Sequence, residues 1–119
     1  MEKFHKILEN KIDLLIRRIY KATKTFPREE VYGITSQIRR AGLSIMLNYL
    51  EGYGRRKHLV VINFLEISYG SLRETKYLIR ICFEEGYITE DNFMEMQQLV
   101  DEIGAMLWKT LEHMRSKDT

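Results

Sequence analysis

Cysteine, proline and long apolar runs are all scarce in this chain of 119 residues, and each scarcity excludes something. Cys82, the only cysteine, has no second thiol for an internal disulfide or a cysteine-based zinc site, so a reducing, cytoplasmic setting is expected. The opening Met1-Glu2-Lys3-Phe4-His5-Lys6 lacks the apolar core of a secretory signal. No stretch approaches the roughly 18 apolar residues of a membrane span, so no membrane partner is expected. Pro27 is the only proline, and with 45% apolar and 30% charged residues the composition suits a globular helical protein, not a disordered or all-β one. The length fits a single domain over residues 1–119.

What is present is helical periodicity. Four segments, near 3–24, 28–53, 57–85 and 90–115, carry apolar residues at steps of three and four. The first shows Phe4, Leu8, Ile12, Leu15, Ile19 and Ala22; the fourth shows Phe93, Met96, Val100, Ile103, Leu107 and Leu111. Pro27 suits a first helical turn, with Thr35 as a second N-cap should the helix restart at Gly33. Gly52-Tyr53-Gly54 and Gly86 permit left-handed C-caps, and Thr89 before Glu90 and Asp91 reads as an N-cap. The short connections predict an all-α, antiparallel, up-down-up-down four-helix bundle with a slight left-handed supercoil.

Both central segments are more apolar than one stripe requires. The second carries Val31, Ile34, Ile38, Ala41 and Ile45 on one seam and Leu43, Met46, Leu47 and Leu50 on another. Beside its seam of Leu65, Leu72, Ile79 and Cys82, the third has a second with Val60, Phe64, Ile67, Leu78 and Ile81. Extra apolar surface of this kind marks association, so Leu43, Met46, Leu47, Leu50, Phe64 and Ile67 are the expected contacts of a homo-oligomer.

Net charge is only +2, yet residues 1–60 carry 13 Lys/Arg against 6 Asp/Glu, and residues 61–119 carry 6 against 11. In the expected topology one end of the bundle gathers Lys3, Lys6, Arg55, Arg56, Lys57, His58, Arg115 and Lys117, opposed mainly by Glu2, Glu112 and Asp118. The other end holds Glu29, Glu30, Glu84, Glu85, Glu90 and Asp91 against Lys21, Lys24 and Arg28. A second basic strip, Arg17, Arg18, Lys21 and Lys24, reads as a solvated helix face. Arg55-Arg56-Lys57-His58, with Lys3 and Lys6, is the candidate phosphate-contacting set, because adjacent donors on a turn reach a nucleic-acid backbone without burying apolar surface. Arg40, Asn48 and Glu74 fall near the seams and are expected to form a polar network that fixes register or assembly. No cofactor and no metal site are expected, since only Glu2-Lys3-Phe4-His5 has the Glu-x-x-His spacing of a di-iron bundle.

The run Phe26-Pro27-Arg28-Glu29-Glu30, with Gln37-Ile38-Arg39-Arg40-Ala41, Ser44-Ile45, Asn48, Glu51-Gly52-Tyr53-Gly54-Arg55, Phe64-Leu65-Glu66-Ile67 and Gly70-Ser71-Leu72-Arg73-Glu74, resembles the four-helix-bundle family of 23S rRNA intervening-sequence proteins. The accessory variability protein of diversity-generating retroelements is similar to that family. The chain departs from the pattern at Met46, where the family usually has proline, at Tyr49 and Leu50, and in the first helix. The resemblance implies a bundle that assembles into a five-fold barrel, a homo-pentamer. In some relatives it also implies a basic face for RNA or DNA and for a reverse transcriptase. It implies no catalytic residue. The expected function is a non-catalytic oligomeric adaptor that binds structured nucleic acid; the alternative is a protein-only scaffolding module.

Overall fold

The computed structural model of the protein describes residues 2–117, and over those residues it contains four α-helices and no strand. α1 is Glu2–Thr23, α2 Ile34–Tyr53, α3 His58–Glu84 and α4 Glu90–Ser116, with a 3-10 turn at Arg28–Glu30. Each helix packs on two neighbours, α1 on α2 and α4, and α3 on α2 and α4, while the diagonal backbones stay apart. That is the antiparallel up-down-up-down bundle read from the sequence, drawn out into a rod of 49 × 25 × 19 Å.

The apolar stripes meet along the rod axis. Leu8, Ile12, Leu15 and Ile19 of α1 face Ile38, Ala41, Ile45 and Tyr49 of α2, Leu65, Leu72, Ile79 and Cys82 of α3, and Met96, Val100, Ile103, Leu107 and Leu111 of α4, all buried. Burying each large aliphatic side chain contributes about 1.5–3 kcal/mol, so this column is the main source of stability.

Helix ends follow local chemistry where the sequence supplies it. Gly86 takes φ +78°, which lets Tyr87 N–H reach the carbonyl of Cys82 at 2.8 Å and Gly86 N–H reach that of Phe83 at 3.0 Å, closing α3 with a Schellman motif. Thr89 caps α4 by accepting from Asn92 N–H at 3.1 Å.

The expected helix over 28–53 is broken. Pro27 opens only the 3-10 turn, and α2 begins at Ile34. Glu30, not Thr35, supports that start: its Oε1 accepts from Ile34 N–H at 3.3 Å, and its Oε2 accepts from the Tyr87 hydroxyl at 2.9 Å. A Cβ on Gly33 would lie 2.5 Å from Glu30 Oε1, so glycine makes room for this carboxylate. Thr35 is buried instead, and its Oγ1 has no hydrogen-bond partner. Gly54 keeps a right-handed φ of −85°, so the left-handed C-cap expected after α2 does not form.

Gly52 serves close packing. A Cβ there would come within 3.0 Å of Phe64 Cβ and 3.4 Å of Val61 O, so α2 and α3 touch almost backbone to backbone. Small hydroxyls line the same contact: Ser68 Oγ donates to Ile45 O at 2.7 Å, Ser44 and Ser71 share a 2.7 Å bond, and Asn48 Nδ2 donates to Ser44 O and Oγ, each at 2.9 Å. This corrects the expected network of Arg40, Asn48 and Glu74. Only Asn48 joins the contact; Arg40 and Glu74 are exposed and enter no ion pair among the described residues. Ions of that size are costly to bury, and hydroxyls fit the narrow gap without leaving unpaired charge.

Truncating Leu107 to alanine should cost about 2–5 kcal/mol of stability, and Thr89→Ala about 1 kcal/mol. Urea denaturation of each variant beside the parent chain checks both values, and their order.

Candidate nucleic-acid interface

The turn between α2 and α3 lies at the end of the rod where α1 begins and α4 finishes. The placement is fixed by side chains: His5 of α1 bonds Tyr49 of α2, and Arg115 of α4 bonds Glu66 of α3 at 2.7 Å. Lys3, Lys6, Arg56 and Lys57 are exposed there, and Lys109 and Lys117 add to the same end. None of these six enters an ion pair among the described residues. Lys57 precedes α3 without capping it through its side chain; the positive ends of α1 and α3 are offset here by the negative ends of α2 and α4, so the side chains set the field at this pole.

The expected basic turn is not uniform. Arg55 is tied to Glu51 at 3.0 Å, and its guanidinium lies 5.4 Å from the centre of the Phe64 ring. His58 is half-buried at the start of α3. Arg56 and Lys57 are therefore the turn's most available cations. Arg115 is paired with Glu66, and Asp118 lies outside the described residues.

Of the basic strip Arg17, Arg18, Lys21 and Lys24 at the end of α1, the first two are neutralised, while Lys21 and Lys24 stay exposed and enter no ion pair among the described residues. Arg17 pairs with Asp13 at 2.9 Å, and Arg18 pairs with Glu95 of α4. At the far end Glu29, Glu84, Glu85, Glu90 and Asp91 are exposed and Glu30 is half-buried. Arg80 pairs with Glu84 at 3.8 Å, and the acids outnumber the exposed Lys21, Lys24 and Arg28, so this pole is acidic on balance. Among the described residues no group of three or more His, Cys, Asp or Glu stands where it could hold a metal ion, and His5 has Glu9 and Tyr49 on its two ring nitrogens.

The expected interface residues divide. Leu43, Leu47, Leu50 and Ile67 are exposed on the α2–α3 pair, Leu47 at 61% and Ile67 at 43%, whereas Met46 is half-buried against the core and Phe64 half-buried beside Gly52 and Arg55.

Sequence reasoning missed one cluster at the basic end. His5 Nδ1 and the Tyr49 hydroxyl are 2.5 Å apart, His5 Nε2 lies 3.3 Å from Glu9 Oε2, and the His5 ring stacks on Tyr53 at 3.5 Å between centres. The spacing of Glu9 four residues after His5, and of Tyr53 four after Tyr49, was visible; that the two pairs meet was not. Burial pushes the Tyr49 phenol well above its ordinary 10.0, with Tyr53 and Glu9 adding to the rise. Burial also pushes the Cys82 thiol from 9.0 up to about 12, with a contribution from Glu30, so this thiol is not a nucleophile at neutral pH.

An antiparallel helical bundle with one basic pole, one acidic pole and a partly apolar flank is the class these features define. The chain belongs to the family of 23S rRNA-intervening sequence proteins, whose profile matches residues 6–109. Its fold is similar to the crystal structure of a protein of the S23 ribosomal protein family from Bacteroides thetaiotaomicron, described as having unknown function. The TM-score is 0.80 at 25% identity, covering 87% of this chain and 97% of that one. No curated protein matches this chain.

Cys82 and Tyr49 keep their protons in the folded chain at pH values where an unfolded chain releases them. The stability this contributes is complete below about pH 9 and falls as pH rises toward 12, by up to about 1.4 kcal/mol per pH unit for each group. Chemical denaturation at stepped pH should show the decline, and Cys82→Ala should delay its onset from about pH 9 to about pH 10, the ordinary tyrosine value.

Proposed function

We propose that this protein is a non-catalytic, self-associating adaptor that binds structured nucleic acid through its basic pole. The observation that carries the reading is an uneven distribution of charge. Lys3, Lys6, Arg56, Lys57, Lys109 and Lys117 enter no ion pair among the described residues and outnumber the exposed Glu2 and Glu112 at one end. At the other end of the 49 Å rod, Glu29, Glu84, Glu85, Glu90 and Asp91 outnumber Lys21, Lys24 and Arg28. A polyanion is attracted to one pole and repelled from the other, which orients it without any base contact. The family's description names a 23S rRNA intervening sequence, which makes RNA the first nucleic acid to test.

Self-association rests on Leu43, Leu47, Leu50 and Ile67. Four large apolar side chains open to water on one helix pair are more than scattered exposure accounts for, and burying them between subunits would repeat the basic pole around a ring. A homo-pentamer is the assembly proposed. The same apolar flank also suits the second reading, a scaffold that contacts only proteins.

Titrating a labelled RNA hairpin at stepped salt separates the two. Affinity should fall with salt by a slope of about 0.7–0.9 per phosphate contact. Arg56→Ala/Lys57→Ala should weaken binding and flatten that slope, whereas Arg17→Ala should do neither. No binding at low salt leaves the scaffold reading. Solution mass should exceed the 14.3 kDa of one subunit, and Leu47→Glu/Ile67→Glu should return it to that value; a parent chain already at 14.3 kDa contradicts the assembly.

A further inference from the structure

A cavity of about 300 Å³ opens at the basic pole between the start of α1 and the last turns of α2 and α4. Its walls are mostly aromatic, with Phe4, His5, Tyr49 and Tyr53 on one side and Lys109 and His113, one helical turn apart, on the other. Tyr53 stays 54% exposed at this opening, whereas Tyr49, one turn earlier, is buried.

The aromatic wall is rigid before anything binds. Tyr53 lies nearly parallel to His5, at 11° between planes, and His5 is held in turn by Tyr49 on one ring nitrogen and Glu9 on the other. A flat ligand landing there has little side-chain freedom left to freeze. Lys109 has no acidic partner among the described residues, so the rim retains an unspent positive charge. Tyr53 also leads directly into the turn that carries Arg56 and Lys57.

We infer that this cavity receives a single unstacked nucleobase, stacked on the face of Tyr53 that His5 leaves free, with its flanking phosphate at Lys109. The inference rests on the nucleic-acid reading above and sharpens it. Bases inside a duplex are stacked on both faces and cannot enter, so the preferred partner is a single-stranded or looped segment whose backbone continues past Arg56 and Lys57. A ring wall and a cationic rim together ask for a planar ring linked to a phosphate; a neutral apolar ligand would leave the rim unused. The same chemistry is offered by a free mononucleotide, and the test separates the two sources.

Full-length protein is titrated with a hairpin RNA carrying 2-aminopurine in its loop, with the same hairpin carrying it in the stem, with a blunt duplex of equal length, and with adenosine monophosphate. The loop probe should change its fluorescence on binding while the stem probe does not. Tyr53→Ala should weaken the looped RNA roughly five- to hundred-fold, the loss expected when one base–aromatic stack is removed. Duplex affinity should stay within about twofold, and Tyr53→Phe should restore loop binding. Equal binding of loop and duplex, or a Tyr53→Ala variant that binds both as the parent does, overturns the inference while leaving the basic-pole reading intact. Adenosine monophosphate binding that depends on Tyr53, without any loop preference, overturns it by assigning the cavity to a free nucleotide. Failure of every RNA to bind at low salt overturns both.

Discussion

The close approach of α2 to α3 is the constraint on which the rest of the molecule depends. Gly52 removes the Cβ that would hold the helices apart, and Ser44, Ser68 and Ser71 fill the seam with short hydrogen bonds in place of bulk. These contacts set the register of α2 against α3 and so fix the turn that joins them. Because Tyr49 and Tyr53 project from the same last turns of α2, the register also decides where α1 meets them through His5. A helix pair held apart by one larger residue would move the turn, its cations and the aromatic wall together.

Stability and function draw on different parts of this arrangement. The column from Leu8 to Leu111 supplies the energy, while the interhelical ion pairs Lys11–Glu102, Arg18–Glu95, Lys76–Asp101 and Arg115–Glu66 lie on the surface and contribute about 0–1 kcal/mol each. Their larger effect is on charge distribution. Lys11–Glu102 and Lys76–Asp101 each remove one cation from the flank of the rod, whereas Arg115–Glu66 removes one from the basic pole itself.

Much of this was legible in the sequence, for a physical reason. α1 and α4 each expose a single apolar stripe, so Leu8, Ile12, Leu15 and Ile19, and Ile103, Leu107 and Leu111, could be assigned to the core from period alone. α2 and α3 carry two stripes, and period cannot say which one faces a neighbour; that ambiguity is why Glu74 was placed inside and is found outside. A restart at Gly33 was legible before α2, but the bond from Tyr87 that holds Glu30 there spans 57 positions, and no local signal reports it. Arg55 was different: Glu51 stands four residues before it, so its neutralisation could have been read from spacing. The aromatic cavity was hidden because each half is an ordinary i, i+4 pair until the fold joins them.

The account rests on charge and shape being concentrated at one pole. Hydrogen–deuterium exchange along the chain, with and without a structured RNA at low salt, examines that most directly. Protection is expected at residues 2–6, 53–60 and 109–117, with the acidic pole around residues 28–33 and 84–91 unchanged. Protection centred on the acidic pole, or spread evenly along the rod, would contradict it.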